Sequence, residues 1–133
     1  MATRSTIAVK QADGTIKGIY CHWDGYPSHN GKILVEHYNT QELAEKLIAP
    51  GFLSSLAPSC DKPAGHTFEE PVEGHSVYYG RDRGETNVDP FVFPTHAGLV
   101  KAQGQEYDYL WDGSQWIEAQ YGPVSDILAK EEA

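Results

Sequence analysis

Apolar and polar residues alternate over Ser5–Lys10 and again over Thr15–Tyr20, and the Asp13-Gly14 pair between the two runs is a turn signal, so the chain is expected to open on a β-hairpin. The next stretch, CHWDGYPSHNG from Cys21 to Gly31, is dense in Gly, Pro, Asn and Asp and keeps neither period, which predicts an ordered loop rich in aromatics. Beyond it, Ile33, Leu34, His37 and Tyr38 recur at helical spacing. Asn39-Thr40 then caps a second helix over Gln41–Ala49, ended by Pro50-Gly51. In that helix Leu43, Leu47 and Ile48 form the apolar face, and Glu42 and Lys46 pair one turn apart on the other side.

Prolines 58, 63 and 71 break any long element between Phe52 and Glu73, so a surface excursion with one short strand is expected there. A strand is expected over His75–Arg81 and a helix capped by Thr95 over His96–Lys101. A hairpin of Tyr107–Trp111 and Gln115–Ala119 turns at Asp112-Gly113, and a last helix follows Pro123 through Val124, Ile127 and Leu128. This order, without internal repeats, predicts a single α+β domain over residues 1–133. Its antiparallel β-sheet carries helices packed on one face, and residues 129–133 form a loose tail.

Ten Lys and Arg against nineteen Asp and Glu give a net charge of −9, which works against duplex nucleic acid as a partner. A small anionic ligand is still compatible with that total, because a few arginines in one place can outweigh a distant acidic surface. No run is apolar enough for a membrane span and the first residues lack a signal-peptide core, so a cytoplasmic protein is expected, with Cys21 and Cys60 as free thiols.

Phosphate loops, dinucleotide fingerprints, nucleophile elbows and H-E-x-x-H pairs are all missing. Cys21, His22, His29 and His37 are metal-ligand types, but their spacing fits no zinc pattern, and neither a metal nor another cofactor is expected. Asp82 or Glu85 beside Arg83 could serve as a general base, or simply form surface ion pairs.

The chain has three arginines, Arg4, Arg81 and Arg83, and two of them fall in VYYGRDRGETN, Val77–Asn87. Strand alternation there would place Tyr79, Arg81 and Arg83 on one face and Asp82 on the other. Guanidinium forks for phosphate would then stand beside a ring on which a base can stack. The alternative is a strand end whose arginines pair with Asp82, Glu85 or Asp89. Trp23, Tyr26 and His29 of the aromatic loop are a second set of stacking and hydrogen-bonding groups, unless they are buried anchors that pin the loop. Phe91 with Phe93, and Trp111 with Trp116, fit core or subunit contacts.

The opening MATRSTIAVK with its Asp13-Gly14 turn, then IYCHWDGYPSHNGKIL, EHYN, LAEKLI, FLSSL and YYGRDRGE, occur in an order that resembles the first described family of phage Thoeris anti-defence proteins. The likeness runs from Ala2 to Glu85 and weakens in the C-terminal third, where the Tyr107–Trp116 hairpin corresponds. It implies a non-catalytic sponge in the cytoplasm of the infected bacterium. Such a sponge binds cyclic ADP-ribose isomers made by TIR-domain enzymes, holds cyclic di- or trinucleotides as a second ligand class, and assembles as a hexamer built from dimers. The motifs carry this expectation onto Arg81, Asp82 and Arg83 and onto the loop His22–Gly31, and Tyr79 and Asn87 flank the arginine segment. A hydrolase of the same cyclic nucleotides and a phage protein that binds a host protein are the rival readings.

Overall fold

A computed structural model describes residues 3–132 of the chain. Strand β1 (Ser5–Lys10) is its centre: Ser5 through Val9 are all buried, so both faces and both edges of this strand must be covered. The edges are covered by β2 (Ile16–Trp23), antiparallel, and by β6 (Tyr107–Trp111), parallel. The sheet extends beyond β2 through β3 (Leu53–Ser55) to the two-residue β4 (Val77–Tyr78), and beyond β6 through β7 (Trp116–Glu118) to β8 (Gly122–Pro123). β5 (Phe91–Phe93) pairs with the first half of β2, so β2 shares one edge between β3 and β5. Pairing is mostly antiparallel, with β1–β6 and β2–β3 as the parallel exceptions.

Alternation along β1 builds two cores. Ile7 and Val9 point to the larger one, where Ile19, Cys21, Leu53, Tyr109 and Trp111 meet helices α1 (Lys32–His37), α2 (Gln41–Ile48) and α5 (Val124–Glu132). Thr40 caps α2 as its sequence implies, accepting from the Leu43 amide at 3.1 Å. The two tryptophans of the last hairpin are core residues: Trp111 donates to Gln41 Oε1 at 2.8 Å and Trp116 to the Tyr38 carbonyl at 2.9 Å.

The α+β class holds, and the gathering of helices on one face applies to α1, α2 and α5. The exception is α4 (His96–Gln103), capped by Thr95 as expected, whose buried Leu99 sits on the opposite face against Ala8, Ile16 and Leu110. It can approach because β2 carries Gly18 there; a β-carbon at that position would lie 2.9 Å from Leu99 and 3.1 Å from Ala8.

Four local expectations change. β2 runs to Trp23, so the first three residues assigned to the aromatic loop are strand. The His75–Arg81 strand shrinks to β4, because Tyr79–Arg83 turns into the short helix α3. Lys46 pairs with Asp61 at 2.8 Å and forms no ion pair with Glu42, which ties α2 to the excursion that follows β3. Residues 129–132 continue α5 and are no loose tail; Ala133 lies outside the described residues.

Removing the contact that seats α4 tests the two-core arrangement. Leu99→Ala is expected to cost about 3 kcal/mol in urea unfolding, whereas Val92→Ala, at an exposed position of β5, should change stability by less than about 0.5 kcal/mol.

Candidate functional site

The aromatic loop begins where β2 ends. Asp24 takes a positive φ of 47°, a conformation Asp tolerates better than most residues, and turns the chain away from the sheet. The Gly25 amide then donates to the Thr3 carbonyl at 2.8 Å, and the buried Tyr109 hydroxyl donates to the Gly25 carbonyl at 2.6 Å. Pro27–Gly31 forms a single π-helical turn leading into α1.

At the end of that turn Asn30 is fully buried. Its amide nitrogen is directed at Ser5 Oγ and the Trp23 carbonyl, both at 3.3 Å, and at Cys21 Sγ at 3.5 Å, while its Oδ1 meets His29 Nδ1 at 2.9 Å. Burial pushes the Cys21 thiol up to about 12, so it packs and bonds as a neutral group. The loop is therefore held by Asn30, Tyr109 and backbone bonds, and its aromatic rings are not needed as anchors. Trp23 remains 41% exposed and Tyr26 39%, with His29 edge-on to Tyr26 at 5.9 Å.

The arginine segment has a different geometry from the one alternation suggests. Tyr79, Arg81 and Arg83 lie on a one-turn helix closed by Gly84 at φ 81°, so they do not share a strand face. Arg81 turns inward: Nη1 donates to the Cys60 carbonyl at 2.7 Å, Nε to Asp82 Oδ1 at 2.9 Å and Nη2 to Asp82 Oδ2 at 3.1 Å, with the guanidinium over the Tyr78 ring at 4.5 Å.

The Asp82 carboxylate is wholly buried. It also accepts from the Tyr78 amide at 2.8 Å and lies 3.4 Å from His66 Nε2 and 3.7 Å from Lys62 Nζ. His66 Nδ1 accepts from the Val72 amide at 2.9 Å, which leaves the ring hydrogen on Nε2, facing Asp82 and the Ser76 carbonyl. Burial alone would raise the Asp82 pKa, but hydrogen bonds from Arg81 and the Tyr78 amide, with the Arg81 charge, outweigh it and hold the carboxyl below the ordinary carboxylate value. These groups fasten the excursion to the sheet; they are internal ties.

Arg83 is the outward member. Its guanidinium lies over the Phe68 ring at 4.7 Å and 3.4 Å from Glu85, and Phe68 in turn stacks obliquely on Tyr79 at 5.7 Å. Asn87, at a positive φ of 62°, lines an open depression of about 620 Å³ with Pro50, Gly80, Arg81, Glu85 and Asp89.

The eight candidate residues thus separate. Trp23, Tyr26 and His29 belong to the loop, Tyr79 and Arg83 to an outer layer with Phe68, and Arg81 and Asp82 to a buried knot; Asn87 stands on the rim of the depression. Asn30, Phe68 and His66 were missed. Only Asn30 carried a sequence signal, since an Asn inside a turn-rich loop is a natural cross-strand tie. Among the described residues no three His, Cys, Asp or Glu side chains converge to hold a metal ion. Comparison with protein-family models, curated proteins and solved structures finds no match to this chain.

The knot has a pH signature. Because the Asp82 pKa is lowered by folding, its stabilisation is fully present above the ordinary carboxylate pKa of about 3.9 and is lost as pH falls through the lower folded value. Asp82→Asn should cost about 3 kcal/mol near neutral pH by urea unfolding, and the gap to the parent protein should narrow below about pH 3. An equal gap at both pH values would show that the carboxylate charge is not what matters.

Proposed function

We propose that this protein is a phage-encoded sponge. It binds cyclic ADP-ribose isomers made by bacterial TIR-domain enzymes, keeps them from their effector in the cytoplasm of the infected host, and leaves every bond of the ligand intact. Cyclic di- or trinucleotides are its second ligand class, and its working unit is a homo-oligomer, a hexamer built from dimers.

The observation that carries this reading is the state of the CHWDGYPSHNG loop, the most specific part of the family resemblance. Asn30 and the Gly25 carbonyl tie it down from inside while Trp23 and Tyr26 each keep about two-fifths of their surface exposed. Large rings held outward on a rigid frame lose little entropy on stacking, which is what tight capture of a scarce ligand requires. The Arg83–Phe68–Tyr79 layer offers a cation and rings of the same chemistry.

The hydrolase alternative loses support from the same geometry. Asp82, its first candidate base, is buried and already accepts from the Tyr78 amide and Arg81, and Glu85 is paired with Arg83. Nor does either carboxylate face His29, whose Nδ1 is bonded to Asn30.

Incubation with a cyclic ADP-ribose isomer, followed by heat denaturation and mass-resolved chromatography, should return the intact ligand in near-stoichiometric yield. A ring-opened product would sink the sponge reading, and retention of a host polypeptide with no nucleotide would favour a host-protein binder. Arg83→Ala should weaken binding about tenfold without altering the melting temperature, while Arg81→Ala should act first on stability, by about 3 kcal/mol.

A further inference from the structure

Helix α4 covers only part of its sheet face. Leu99 seats it over Ala8, Ile16 and Gly18, at the end of the hairpin where β1 finishes and β2 begins. At the other end, where β1 begins and β2 finishes, the same face carries Tyr20 and His22, two residues apart on β2 and both half-buried.

The register adds a third residue. Thr6 pairs with Tyr20 and Ser5 with Cys21, so Arg4, the residue just before β1, lies at the end of the sheet where β2 finishes. Thr6 projects to this face, where its hydroxyl donates to Asp108 Oδ1 at 2.7 Å, and Arg4 is near enough for its charge to act on Tyr20.

The groups are arranged as a receptor. Tyr20 Oη is 2.7 Å from His22 Nδ1; with the phenol donating, His22 Nε2 carries the ring hydrogen and has no partner among the described residues. His22 meets Trp23 edge-on at 4.8 Å, and Tyr20 meets Phe52 at 6.0 Å. Arg4 is exposed and, in a chain of net charge −9, forms no ion pair among the described residues. It also acts on this cluster: burial raises the Tyr20 pKa and the Arg4 charge opposes that rise, while the nearby Tyr79 phenol adds to it.

We propose that this open end of the sheet is a nucleotide subsite, with Arg4 and His22 Nε2 receiving a phosphate and Trp23 receiving the planar base. The proposal rests on the binding reading above and places its ligand; Arg4, Tyr20 and His22 lie outside the eight candidates read from the sequence. The charge argument selects the occupant. An unpaired arginine beside an imidazole N–H donor is matched by an anionic oxygen, and a ring held at the rim by a strand end is matched by a purine face.

Isothermal titration with the cyclic ADP-ribose isomers of TIR-domain enzymes, and with ADP-ribose beside them, tests it on the full chain. Arg4→Ala and Trp23→Ala should each weaken binding about tenfold, Arg4→Lys should recover part of the loss, and Lys130→Ala, which removes the same charge elsewhere, should bind as the parent does. Since Arg4 is exposed, its variants should melt with the parent protein. If the parent binds and both alanine variants keep its affinity, the placement is wrong while the sponge reading stands. If the parent binds neither probe, both fail. Variants that change the oligomer on size exclusion but not the affinity would make this face a contact between copies and overturn the subsite.

Discussion

The complete burial of β1 is the constraint from which the rest of the architecture follows. Five consecutive residues, Ser5 to Val9, are out of water, so the strand needs hydrogen-bonding neighbours on both edges and apolar cover on both faces. One face is closed by three helices. The other has only α4, whose eight residues span about 12 Å, while β2 beside it is eight residues long and spans about 26 Å. A helix of that length cannot close the face, and Tyr20 and His22 stand half-buried at the end it leaves, with the Trp23 ring beside His22 at the strand end. The incomplete cover of β2, beside a core strand that is itself fully buried, is thus what leaves Tyr20 and His22 partly accessible.

A second level of order is electrostatic. Asp82 gathers groups from two separate stretches of chain around one buried carboxylate: Tyr78 and Arg81 around α3 donate to it, and Lys62 and His66 of the excursion after β3 lie within 4 Å. An isolated carboxylate in that position would be costly; with Arg81 and an amide donating directly to it, the ion pair becomes a fixed point. Its effect reaches the surface indirectly. Fastening α3 and the excursion sets where Tyr79, Phe68 and Arg83 come to lie, so the internal arginine positions the external one.

Much of the fold was legible because its signals are local. The Asp13-Gly14 and Asp112-Gly113 turns, the Thr40 and Thr95 caps and the period of α2 each need only a few neighbouring residues to read. What escaped depended on contacts distant in sequence. Nothing near His96–Gln103 tells on which face α4 packs; that is decided by Gly18, some eighty residues earlier. The YYGRDRGE segment looked like a strand end because Tyr79, Arg81 and Arg83 alternate in it, yet Gly84 in the left-handed region and the reach of Asp82 back to the Tyr78 amide favour a helical turn. The aromatic loop was located correctly but its anchors were not, since Asn30 and Tyr109 act through partners on other strands.

The candidate groups also bear on the unit of function. Each side chain that can meet a ligand here, Trp23, Tyr26, Arg83 and Arg4 among them, stands on an open surface, and the depression lined by Asn87 and Arg81 is open as well. Slow release of a small anion requires burial of most of its surface in a site whose donors are already in place. A single chain supplies the second condition through the ties at Asn30 and Asp82 but offers walls on one side only. A second copy facing such a surface would supply the opposite wall, and with it another Arg4 and another Trp23. The acidic total of −9 per chain would then be offset locally by arginines contributed in pairs. On the proposed reading, assembly would be the step that turns exposed half-sites into enclosed ones.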